Sequence, residues 1–258
     1  GEMLALMVFT LIFGIAYASY HKQNPEKKPV LIPILENIYA TTMIIVEYAL
    51  KLAPIAVFSI IFNTSFKLGP YFLSSVFFYV FCVVLGLLIQ QFVVYSILLK
   101  VFTKISPLDF FRKCKDVYLY AFSTASSNAT LPEALETAEH KLKLSPRVSR
   151  FVLTVGATAN QNGTALFEGV TVLFLAQVYG VDLSVSSQLL VIITCILAGI
   201  GTAGVPGGSL PVIMILLGSI GVPPQAIGII LGVDRFLDMC RTTLNVSGDL
   251  VIAALVDE

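Results

Sequence analysis

The run "YFLSSVFFYVFCVVLGLLIQQFVVYSILL", residues 71–99, contains no charged residue. About 20 apolar residues already span the hydrocarbon core of a bilayer, and a longer run crosses with tilt. Related runs occur at "LALMVFTLIFGIAYASY" and "QLLVIITCILAGIGTAG". Across the 258 residues, 57% are hydrophobic and only 12% charged, against roughly 25% charged in a soluble domain. The chain therefore reads as an all-α, multi-pass membrane protein, because a helix satisfies its own backbone hydrogen bonds in lipid. The formal net charge is zero, which leaves no basic surface for nucleic acid. Cys82, Cys114, Cys195 and Cys240 are scattered without metal-ligand spacing and read as small apolar fillers. His21 and His140 lie in linkers and no nucleophile–base pair is apparent, which argues against an enzyme.

The few charges set the topology. Basic residues gather at 21–28, 104–115 and 140–150, whereas the linkers at 63–70, 180–184 and 219–225 carry only Lys67 between them. The positive-inside rule puts the first set in the cytoplasm and the second outside. Spans are expected near 3–19, 33–62 and 71–102, with Pro33 opening the second and Pro54 placed to kink it. Between the basic linkers at 104–115 and 140–150 the chain is too short to cross and return, and it holds the polar tip "STASSNATLP". This segment is expected to dip in and come back, which is tolerated only inside protein or beside a watery cavity. A second hairpin, entering from outside, is expected around "GTAGVPGGSLP", where Gly201, Gly204, Gly207, Gly208 and Pro206 interrupt any helix. The alternative is a loop between two short crossing helices, which would invert the last span.

Each hairpin precedes an apolar helix with a similar signature, "NQNGT" at 160–164 and "NVSGD" at 245–249. Two such units entering from opposite faces form an inverted repeat, an arrangement that places transporter sites at midplane helix breaks. In the last helix Asp234, Asp238, Arg241, Asn245 and Asp249 share a narrow arc at 100° per residue, with Thr242 at its edge. Leu237, Leu244 and Val246 fall elsewhere. Charges at membrane depth must pair, bind ions or line water; a structural ion-pair network is the alternative to a binding site. Gly163 and its flanking Asn residues favour a local break, which frees carbonyls suited to a small hard cation or else makes a kink without a ligand.

Taken together, "TASSNATLP", "GATANQNGTALFEGVTVLFLAQ", "GTAGVPGG" and "DRFLDMCRTTLNVSGD" resemble, in order, the glutamate transporter family, the dicarboxylate/amino acid:cation symporters. The resemblance covers essentially the whole chain. It implies a glutamate-transporter-like elevator fold with two re-entrant helical hairpins and broken helices, a homotrimer, and multi-pass insertion in the plasma membrane among its lipids. On that pattern the chain starts in the last part of the fourth helix, without the first three. Residues 1–68 would be part of the scaffold (trimerisation) domain, and 69–258 the transport domain, with hairpins at about 105–141 and 183–221. The implied activity is symport of glutamate or aspartate driven by Na⁺ and/or H⁺, with no other cofactor. A C4-dicarboxylate or neutral amino acid carrier of the same fold is the alternative. From a different class, an ion channel also uses Gly-rich re-entrant loops.

Carried over residue by residue, the resemblance gives Arg241 the substrate side-chain carboxylate and Asp238 its amino group. Ser126, Ser127, Thr164, Thr242, Asn245 and the Gly204–Val205 backbone complete that substrate site, and Gly156, Asn160, Asn245 and Asp249 form a Na⁺ site. An Arg matches a carboxylate in two bonds, and an Asp without an amino group to meet would be a costly unpaired charge; together they favour an acidic amino acid. The sequence departs from the family pattern at Gln161 and Asn162, where Met and Asp are usual and cation sites are touched. Ala125 and Met239 stand where an accessory Arg is usual, leaving Arg235 as a substitute from a neighbouring turn. Glu168 stands where proton-coupled members carry a glutamate; it reads either as a proton carrier or as a hydrogen-bonded core acid.

Overall fold

The long apolar run forms one continuous rod. The computed structural model describes residues 2–35, 71–200 and 207–258, with scattered positions between 37 and 66. The chain divides into two compact units, Gly1–Phe62 and Asn63–Glu258. In the first, α1 spans Glu2–Gln23, and the described positions from 31 to 62 are also helical. Its end is tied locally. Asn24 donates to the Tyr20 carbonyl at 2.9 Å, and Lys27 Nζ reaches the Tyr20 hydroxyl at 2.7 Å. Much of the expected 33–62 span, Pro33 excepted, lies outside the described residues.

In the second unit every regular element among the described residues is helical. Helix α2 (Tyr71–Ile89) passes through a π turn at Gln90–Val94 into α3 (Tyr95–Phe102). The stretch Ser74–Phe102 is long and apolar enough to cross a membrane, and at 1.5 Å per residue it is roughly 40 Å long. Phe77, Phe78, Phe81 and Phe92 stand exposed along it, as a lipid-facing surface requires.

The first hairpin follows: α4 (Pro107–Lys113), α5 (Lys115–Thr124), α6 (Ser127–Glu136) and a π turn at Thr137–Lys141. The reversal is made at Ala125, whose φ of 50° is left-handed, and at extended Ser126. Ser126 Oγ caps α6 by accepting from the Ala129 amide at 3.2 Å, satisfying one of the orphan donors of a helix start. An ion pair of 2.7 Å between Lys141 and Asp116 clasps the hairpin's two ends. The segment therefore turns back on itself, as the charge pattern leads one to expect. Lys104 pairs with Glu258 at 2.7 Å, and the Ser145 amide donates to Asp257 at 3.0 Å. The linkers near 104 and 145 and the end of the last helix thus share one end of the bundle.

Helix α7 (Pro146–Ala159) stops at Asn160, and α8 (Asn162–Val178) restarts at once. Asn160 (φ −97°, ψ 82°) and Gln161 (φ −109°, ψ 46°) make the break, two residues before Gly163, which lies inside α8. Gly163 serves close approach instead: a Cβ there would meet the Arg241 carbonyl oxygen at 2.7 Å. The second hairpin has arms α9 (Val185–Gly199) and α10 (Leu210–Ser219), both packed on α8. Its tip, 201–206, lies outside the described residues, and with it the expected contacts of Gly204 and Val205. After a 3₁₀ turn at Pro224–Ile229, α11 (Leu231–Asp257) runs unbroken through "NVSGD". It packs against α5, α6, α7 and α8, so Leu237, Leu244 and Val246 are buried along with its polar face.

Candidate functional site

The charged face of α11 is sealed inside the bundle. Asp234, Asp238, Arg241, Thr242, Asn245 and Asp249 are all buried, and Arg241 is only 2% exposed. Arg241 Nε donates to Asp238 Oδ1 at 3.0 Å, and its NH1 to Asp234 Oδ1 at 3.3 Å. Its guanidinium carbon lies 4.1 Å from the centre of the Phe167 ring, a cation–π geometry strengthened by desolvation. The backbone amide of Gly207, the residue that follows the second hairpin's tip in sequence, donates to Asp238 Oδ2 at 3.1 Å. One guanidinium, two carboxylates, an aromatic face and a hairpin amide thus converge.

One turn further along α11, Asn245 ties this helix to the break. Its Nδ2 donates to Gln161 Oε1 at 2.7 Å and to Thr164 Oγ1 at 3.0 Å, while its Oδ1 accepts from the Gly163 amide at 2.7 Å. Thr164 also donates to Gln161 Oε1, at 3.0 Å. Gln161 is therefore a working acceptor, a role that reading it only as an altered cation position had not anticipated. Another turn on, Asn160 Nδ2 donates to Asp249 Oδ1 at 2.8 Å. Gly156 lies opposite, where a Cβ would collide with the Asp249 carboxylate. Asn162 donates to the Tyr95 hydroxyl.

The residues expected from sequence fall into two linked groups. Asp238, Arg241, Thr164, Gln161 and Asn245 cluster where α11 crosses the start of α8; Gly156, Asn160 and Asp249 lie beside the end of α7. Asn245 is expected in both sets, and its hydrogen bonds to Gln161, Gly163 and Thr164 join it to the first. Ser126 and Ser127 cap and begin α6, which packs on α11, and Ser127 is buried. Thr242 is buried on α11. Glu168 is fully buried next to Phe167, close enough to Cys195 to act on it electrostatically. Arg235 is exposed, so it lies off the buried face. Sequence reasoning placed Asp234 on the polar face without giving it a role, and did not include Phe167 or Tyr95 in the site. Asp234 carried a signal, since residues seven apart share a helix face; the two aromatics are single residues in apolar runs.

The arrangement suits recognition of a molecule with a carboxylate and an ammonium group. A planar guanidinium forks onto a carboxylate, and an Asp carboxylate accepts from an amine. Among the described residues there is no group of three or more His, Cys, Asp or Glu that could hold a metal ion. A cation here would rest on oxygens from Asp249, the Asn side chains and carbonyls freed at the break.

Over residues 1–258 the sequence matches the family described as Sodium:dicarboxylate symporter family. It is 34% identical, over 258 residues, to the Proton/sodium-glutamate symport protein of Bacillus subtilis, covering 100% of this chain and 59% of that protein. It is 33% identical to Excitatory amino acid transporter 3 of Mus musculus, covering 100% of this chain and 49% of that protein. It is 33% identical to the Proton/glutamate-aspartate symporter of Escherichia coli, covering 99% of this chain and 57% of that protein. The chain spans about half the length of the curated relatives it matches.

Proposed function

We propose, for a chain that belongs to the Sodium:dicarboxylate symporter family, that it carries the substrate and cation sites of a secondary active transporter for glutamate or aspartate. The observation that carries this reading is the buried Arg241–Asp238 pair at the crossing of α11 with a broken helix. Leaving a buried charge unpaired costs about 3–5 kcal/mol, so the guanidinium must always face an anion. A substrate side-chain carboxylate enters by replacing a resident carboxylate on Arg241, while Asp238 turns to the substrate ammonium. The side-chain carboxylate and the ammonium cancel, and the substrate's α-carboxylate brings one net negative charge that a coupled cation balances. Thr164 and Asn245, with Ser126, Ser127, Thr242 and the Gly204–Val205 backbone, complete the substrate's polar shell. The names of the bacterial relatives, with glutamate or aspartate and proton or sodium in them, support the same reading.

Coupling is assigned to Gly156, Asn160, Asn245 and Asp249 for Na⁺ and to Glu168 for a proton. Residues 1–68 act as part of the scaffold in a homotrimer of the plasma membrane, and residues 69–258 move against it as an elevator. The second hairpin is read as the lid: Gly207, on its returning side, donates its amide to Asp238. Calorimetric titration of the purified protein with aspartate, glutamate, succinate and alanine tests the substrate class. Binding of the two acidic amino acids alone supports it; preference for succinate or alanine overturns it.

A further inference from the structure

Tyr95 is a buried phenol on a helix that sequence reading gave no part in the site. Nothing in residues 71–99 marks an irregularity around it, yet the helix widens into a π turn at Gln90–Val94 just before it. One extra residue in a turn rotates all that follows by roughly 100°. Tyr95 and Leu99 consequently face inward, at 3% and 0% exposure, while Phe92 and Val93 face out. The Tyr95 hydroxyl accepts from Asn162 Nδ2 and donates to the Leu244 carbonyl oxygen at 3.4 Å. The Gln90 side chain also bonds to it. A single oxygen therefore touches the first residue of α8 and the residue just before Asn245 on α11.

Close approach at this junction is built in. A Cβ on Gly248 would meet the Tyr95 hydroxyl, Asn160 Nδ2 at 2.9 Å and Asn162 Nδ2 at 3.1 Å. The bonds run in one direction, from the Asn162 amide to the Tyr95 oxygen and from the Tyr95 hydroxyl to the Leu244 carbonyl. Helix α8 restarts here with no side-chain cap on its first turn from Gln161, so its angle to α11 is set by bonds from outside. We propose that Tyr95 is a positioning residue: its hydroxyl holds the start of α8 against α11 and so keeps Gln161, Thr164 and Asn245 in register. This rests on the transport reading above, in which those three residues lie in the substrate and cation sites.

The test is a cycle of Tyr95→Phe, Asn162→Ala and the double variant in the purified protein, with two readouts. The first is amide hydrogen exchange. Each single variant is expected to speed exchange in 160–164 about fivefold, the factor carried by one net hydrogen bond, with α9 unchanged. The second is aspartate uptake, where the half-saturating concentration is expected to rise by about the same factor while the maximal rate holds. The double variant is expected to fall short of the product of the two single effects, because both variants remove the bond between Asn162 and Tyr95. Unchanged exchange, exchange accelerated alike in all helices, or effects that multiply in the double variant overturns the proposal. If the wild type transports no acidic amino acid, the transport reading fails and the exchange cycle alone decides the role of Tyr95.

Discussion

Gly163→Ala probes the crossing on which the site depends. The added methyl would lie 2.7 Å from the Arg241 carbonyl oxygen and 3.0 Å from Asn245 Oδ1. Carbon and oxygen in close contact sit at about 3.3 Å or more, and the first obstacle is backbone, which cannot rotate away. Helix α8 must therefore retreat by about 0.6 Å. That stretches the 2.7 Å bond from the Gly163 amide to Asn245 to about 3.3 Å, the weak end of N–H···O bonds. Overpacking costs about 1–3 kcal/mol and the weakened bond up to about 1 kcal/mol, a total of about 1–4 kcal/mol. If this appears in the bound state, aspartate affinity falls by about 5- to 1,000-fold; if in the fold, the thermal midpoint drops. Gly169→Ala is the matched control: it lies in the same helix with nothing within 4 Å of a Cβ. It is expected to be neutral, or to stabilise by up to about 1 kcal/mol through helix propensity. Calorimetry and thermal unfolding of the two variants side by side decide the matter. Indistinguishable behaviour in both measurements refutes the packing argument.

The hairpin clasp is pH-dependent with a defined sign. The hydrogen bond from Lys141 holds the Asp116 carboxyl below the usual carboxylate range, so its contribution is present above the unfolded value and is lost as pH falls through the folded one. The stability difference between wild type and Asp116→Asn in thermal melts is accordingly expected to persist at neutral pH and vanish in acid; a constant difference contradicts the clasp. Asp234→Ala removes one of the two carboxylates on Arg241 and is expected to change aspartate affinity more than that of any neutral amino acid, as read by calorimetry. Glu168→Gln is expected to abolish uptake driven by a proton gradient in Na⁺-free buffer, and uptake that survives intact rules out this proton carrier.

The first hairpin was legible because lipid leaves few choices. Basic linkers on one side and a segment too short to cross required a hairpin, and the Lys141–Asp116 pair closes it. The buried face of α11 was legible because Asp234, Asp238, Arg241, Asn245 and Asp249 obey a helical period that composition makes costly to ignore. The helix break was anticipated within "NQNGT" and lies there, at Asn160–Gln161 and not at Gly163. Gly163 was open to two uses, loose backbone or close approach, and only its neighbour on α11 decides between them. Leu237 and Val246 look like any lipid-facing residues in sequence, and burial by several neighbouring helices is a tertiary fact. The π turn before Tyr95 has no Pro or Gly to mark it, since strain inside an apolar helix leaves its composition unchanged. Phe167 beneath Arg241 is legible only once α8 and α11 are laid together.

The central claim is that a cation gradient drives an acidic amino acid through a site built on Arg241. Its most direct test is uptake of labelled aspartate into proteoliposomes, with Na⁺ and pH gradients imposed separately, for wild type and Arg241→Ala. The account predicts saturable accumulation above the external concentration, collapse of that accumulation when the driving gradient is dissipated, and none in Arg241→Ala although the variant stays folded. Non-saturable flux that only equilibrates aspartate, or accumulation that survives in Arg241→Ala, would contradict it.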